Sequence, residues 1–193
     1  SNTIYAGLFN DDPAGRHEAL YNFKPFSKDS LDMLLAEPLD KDIQASIIAM
    51  NGYYVDEAAA MRQLYRVQPK SPHLNFLLTR WVNVQEYKVN DYNGAGADAD
   101  SRQTPALDEG TTAWLGNILK QPKSLHNPGL VYLAYGYTSM LGQDYPTATK
   151  AYQQAAKWSK GKPLVTAQIR LFNLLTQVAQ LKKVDTKSET DLL

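Results

Sequence analysis

The 193-residue chain contains no cysteine, which rules out a disulfide framework, a thiolate metal site and a cysteine nucleophile. It has no charge of one sign to spare: Lys plus Arg and Asp plus Glu both total 20, so no overall field draws it to nucleic acid or to an anionic membrane. No apolar run approaches the ~20 residues of a membrane span. The N-terminus shows no charged-then-apolar targeting pattern. β-branched runs are short and strict alternation is rare, so strands have little support. Only three histidines occur, His17, His73 and His126, and none has a ligand partner at i+3 or i+4. Each reads as a surface or capping residue. A glycine-rich phosphate loop after a strand and a G-x-S-x-G elbow are both missing. The carboxylate pairs Asp11-Asp12, Asp40-Asp42 and Asp56-Glu57 sit at helix starts, where the macrodipole accounts for them. These absences point away from an enzyme and imply neither a cofactor nor a metal.

What is there is an ordinary globular composition, 44% hydrophobic and 21% charged, with helical periodicity recurring from Ser27 onward. The expected class is all-α. Residues 1–26 read as an irregular N-terminal segment, with "NDDPAG" as a turn and "RHEALYNF" as a short helix at best. Ser27 or Asp29, Asp40, Asp56 and Ser71 are candidate helix caps, and Pro38 and Pro69 are stops. Asn51-Gly52 suits the end of the helix opened at Asp40, whose apolar face carries Ile43, Ile47 and Met50. The last helix, from Pro163, carries Leu164, Ile169, Phe172, Leu175, Val178 and Ala179, a stripe wide enough that its far side is expected to be exposed. Ser1-Asn2 resembles a cleavage scar, and Ser188 with Asp191 before Leu192-Leu193 forms a capping box. The expectation is therefore a slice of a longer protein, with 184–193 starting a truncated element.

The stretch "LVYLAYGYTSMLGQDYPTATKAYQQAAK", Leu130–Lys157, sets small residues at fixed intervals between aromatics. Gly136, Ala148 and Ala155 let two helix axes approach closely, and the aromatics fill the gaps beside them. The order Tyr132, Gly136, Tyr145, Ala148, Tyr152, Ala155 resembles the tetratricopeptide repeat. Ser139 stands where that family has a large residue, and the closing proline comes late, at Pro163. One unit of about 34 residues matches well. The pair at 40–69 matches in part, through Ala45, Tyr54 and Pro69. The resemblance implies an antiparallel helix-pair solenoid over 27–183. Its groove positions would be Leu133, Tyr137 and Met140, apolar and without the charged clamps that hold peptide carboxylates. It also implies a protein or peptide partner and a non-catalytic scaffold role. "NFLLTRWVNVQEY" is similar to a segment recurring in large Bacteroidetes envelope proteins that carry such repeats, which implies a periplasmic or cell-envelope setting.

Between Val89 and Asp108 lies a run of Gly, Asp, Ala and Asn without helical period, an expected insertion that is either functional or mobile. Asp91, Asn93 and Gly96 begin a calcium-loop spacing, but Ala95 replaces a ligand and Arg102 stands where the bidentate Glu belongs. Tyr87 and Tyr92 beside it, with Trp81 and Trp114 on the flanking helices, could stack on a sugar or peptide. Packing in the core is the competing reading. A glycan-binding module resembling SusD-type proteins, and a purely structural spacer, stay open as alternatives to the scaffold.

Overall fold

A computed structural model describes residues 2–94 and 106–181, side chains at 91–94 excepted. The described residues form ten α-helices and no strand: α1 (Asn2–Asp11), α2 (Arg16–Asn22), α3 (Lys28–Leu35), α4 (Lys41–Tyr54), α5 (Glu57–Val67), α6 (His73–Gly94), α7 (Glu109–Ile118), α8 (Pro128–Leu141), α9 (Tyr145–Trp158) and α10 (Pro163–Ala179). The helix starts follow the capping chemistry. A carboxylate oxygen of Asp40, Asp56, Asp108 and Asp144 accepts a first-turn N–H at 2.8, 2.9, 2.8 and 3.1 Å. The Ser27 hydroxyl does the same for Ser30 at 3.3 Å.

The chain divides into two units, one comprising Ser1–Asn83 with Lys123–Asn127, the other Val84–Pro122 with Pro128–Leu193. In the first, α4 is the central helix. Residues 45–52 are all buried, polar Ser46 and Asn51 among them, because α1 and α5 both pack on it. The N-terminal segment expected to be irregular is thus two helices, and α1 supplies part of the core through Ala6 and Phe9. Asn51-Gly52 does not end α4. A Cβ on Gly52 would lie 2.3 Å from the Ala60 Cβ, so glycine here serves the close approach of α5. Arg80 ties α6 to this unit, with Nε donating to Glu57 at 2.7 Å and its guanidinium 3.9 Å from the Tyr53 ring centre.

The second unit is built on the α8–α9 hairpin. Its turn closes with the Asp144 N–H on the Ser139 carbonyl at 2.8 Å and the Gln143 N–H on Met140 at 2.9 Å, with Gln143 in the left-handed region at φ 64°. A Cβ on Gly136 would sit 2.6 Å from the Tyr152 ring and 3.1 Å from the Ala148 carbonyl, so the spacing of small residues does set the inter-helix distance. Helix α7 packs on α8 from one side, and α10 on α9 and α8 from another. The expected insertion from 89 is shorter than its composition suggests. Helix α6 continues through Gly94, and the Asp108 N–H is already fixed by the Gln85 side chain at 2.9 Å. Residues 95–105, 184–193 and most of the calcium-like spacing lie outside the described residues.

Candidate functional site

The groove expected at Leu133, Tyr137 and Met140 is not open. Leu133 and Tyr137 are buried and Met140 is half-buried, because α10 lies over this face of the hairpin. Leu133 and Ile169 share one core cluster, against which Met140, Val165 and Phe172 pack. The Tyr137 ring stacks on Phe172 with centres 4.4 Å apart, and its hydroxyl donates to Glu86 Oε1 at 2.7 Å. Burial, then the bond to Glu86, raises the Tyr137 phenol well above its ordinary pKa. Burial also pushes Tyr152 up to about 12, the Thr176 hydroxyl pulling the other way. These are structural groups, neutral across the physiological range.

The aromatic set expected around the insertion loses one of its members. Trp81 is 2% exposed and belongs to the core of the first unit, which removes it as a ligand contact. In the second unit Tyr87 is 68% exposed and Trp114 is half-buried. Tyr92 lies outside the described side chains. The loss of Trp81 weakens the glycan reading by one of its two tryptophans.

His73 is the histidine that the sequence misplaced. His17 and His126 are exposed as expected, but His73 is buried, its ring 5.0 Å from that of Phe9. Its Nε2 lies 3.1 Å from both Ser46 Oγ and Asn10 Oδ1. The Ser46 proton is already given to the Asp42 carbonyl at 2.9 Å, and Asn10 turns its amide nitrogen toward Asp11. Both oxygens near the ring therefore accept, and His73 is held as the neutral Nε2–H tautomer. Burial, with the Arg16 guanidinium adding to it, lowers its pKa to about 4, Asp42 opposing. A proton-bearing Nε2 cannot take the Ser46 proton, so this pair is a buried polar link between α1, α4 and α6. A lone histidine between apolar neighbours gives no pattern by which a sequence reading could find it.

Two surface features remain. In the first unit a cleft of about 490 Å³ opens between α3, α4 and α5, lined by Phe26, Leu31, Ile48, Val55, Lys28 and Arg66 among others. Several of its polar groups are already engaged. Lys28 pairs with Asp32 at 3.4 Å, Asn51 Oδ1 receives the Phe26 N–H at 2.7 Å, and Arg66 Nε donates to the Arg62 carbonyl. Among the described residues no cluster of metal-ligating side chains occurs.

The second feature is the outer face of α10. While Ile169 and Thr176 are buried, Leu164 is 85% exposed, and Leu171, Leu174, Leu175 and Val178 are between 39% and 47% exposed. These five side chains and Ala167 fall on one side of the helix, away from the Ile169–Phe172 face that meets α8 and α9. Helix α10 is thus apolar on two sides and covered on one. At its start a shallow hollow of about 350 Å³ brings Lys162 and Arg170 together with Ala167 of this stripe. Among the described residues no helix is long and apolar enough to cross a membrane. Set against protein-family models, curated proteins and solved structures, the chain matches none.

Proposed function

We propose that the chain is a non-catalytic protein-interaction module, a helical-repeat segment of the tetratricopeptide kind that docks a partner helix on the outer face of α10. The observation that carries the reading is the exposed stripe of Leu164, Leu171, Leu174, Leu175 and Val178. An apolar band along one helix, standing clear of the core that the same helix helps to form, is what a helix-in-groove contact uses. The repeat assignment is supported by the α8–α9 contact, in which Gly136 meets Tyr152 and Ala148, residues at matching positions of the repeat pattern. In that reading α8 and α9 are the two helices of one unit, and α10 is the first helix of the next. An array of such pairs gains its core from neighbouring helices, each pair offering an apolar face to a neighbour.

The test uses an amphipathic helical peptide of about three heptads, with Leu at both seam positions and uncharged Gln flanks, titrated by fluorescence anisotropy. The chain is expected to bind it. The double variant L171S/L174S, altered only at exposed positions, should lose the binding and keep its far-UV circular dichroism. Binding that survives in the variant would place the docking face elsewhere.

A further inference from the structure

We infer that the partner helix on α10 is acidic: an amphipathic helix with an aliphatic seam flanked by Glu or Asp. The inference rests on the docking reading above and deepens it. Between Tyr145 and Leu181 the chain carries Lys150, Lys157, Lys160, Lys162 and Arg170 and not one acidic residue. The imbalance is local, because residues 1–144 hold twelve basic and seventeen acidic side chains. In a chain whose overall charge is zero, the helix that exposes the apolar stripe and the helix before it carry cations and no carboxylate.

Three further observations choose the occupant. The stripe keeps a seven-residue register, with Leu164, Leu171 and Val178 at one seam position and Ala167 and Leu174 at the other. That is the spacing of a helix that receives another helix along a seam. The small residue of the stripe, Ala167, lies in the hollow that also holds Lys162 and Arg170. A partner seam residue seated on Ala167 would therefore carry its own flanking side chains to two cations, and both are solvent-exposed. Finally, every charge on α9 and α10 is positive. A second copy would set Arg170 and its neighbours against their like, which opposes self-pairing. An anionic bilayer would share the charge preference. A seam of Leu, Val and Ala without an aromatic anchor, however, fits the knobs of a helix better than the broad face that lies in a membrane interface.

The experiment compares three peptides of identical seam with the full 193-residue chain, their flanking positions filled with Glu, Gln or Lys. Expected is the order Glu, then Gln, then Lys, with at least about a tenfold difference in affinity between the two ends, shrinking as salt is raised to roughly 0.5 M. Lys162→Glu with Arg170→Glu should reverse the order, and L171S/L174S should abolish all three bindings. Equal affinity for the three peptides overturns the acidic partner while leaving the docking face in place. Absence of binding by any of them overturns both. A dimer in sedimentation that L171S/L174S dissolves overturns the inference in favour of a second copy. Variant-sensitive binding to phosphatidylglycerol vesicles in preference to the Glu peptide overturns it in favour of a lipid surface.

Discussion

Gly52→Ala should destabilise the protein through a single methyl group. The new Cβ would lie 2.3 Å from the Ala60 Cβ and 3.1 Å from a Leu77 methyl, at the end of the buried run 45–52 of α4. The Leu77 side chain has rotamers with which to yield; the Ala60 methyl has none, since its position is fixed by the backbone of α5. Relief must therefore come from separating α4 and α5, and overpacking at so close an approach lies in the upper part of the usual range, about 2–3 kcal/mol. Against it stands the better helix propensity of alanine, worth about 1 kcal/mol. The net loss should be about 1–2 kcal/mol, a fall in Tm of roughly 2–4 °C for each kcal/mol at this chain length. Ala60→Gly removes the clashing methyl. Alone it should destabilise, but combined with Gly52→Ala it should restore most of the loss, giving a coupling of about 1 kcal/mol or more in a double-mutant cycle. Additive effects, or a G52A variant as stable as the parent, would refute the helix contact as described.

The pH dependence of stability should carry the signature of His73. Its folded pKa of about 4 lies below the ordinary 6.5 of a histidine, so the unfolded chain takes up a proton first as pH falls. Stability from this site is present above pH 6.5 and lost as pH drops toward 4, by at most about 3 kcal/mol, and His73→Gln should flatten that window in urea titrations. Tyr137→Phe leaves the stacking on Phe172 and removes the bond to Glu86, so it should cost about 1 kcal/mol in the same assay. Gln143→Gly relieves a side chain held at φ 64° and should stabilise by about 0.5–1 kcal/mol, read as a rise in Tm.

What the sequence shows clearly is what neighbouring residues along the chain decide. Ser27, Asp40 and Asp56 cap helices because a side-chain oxygen accepts N–H groups two or three residues ahead, and that is visible without any fold. The close approach at Gly136 is likewise written in one hairpin. Long-range packing is what misled. Tyr137 and Leu133 look like the outward side of a hairpin until α10, some thirty residues later, is laid on them. Gly52 resembles a helix end because its reason for being glycine lies on the next helix. His73 reads as a surface residue because its partners Asn10 and Ser46 are 63 and 27 positions away. The exposed stripe of α10 was legible, since a helix apolar on two sides of its circumference needs two coverings and the α8–α9 hairpin supplies only one. Its positive surroundings become meaningful only when the exposed side is known.

Methyl chemical shifts during titration of the Glu-flanked seam peptide test the central claim most directly. The methyls of Leu164, Leu171, Leu174, Leu175 and Val178 should shift together and saturably, while those of Leu64 and Leu77 in the first unit stay in place. Saturable shifts confined to the first unit, or none at all, would contradict a docking face on α10.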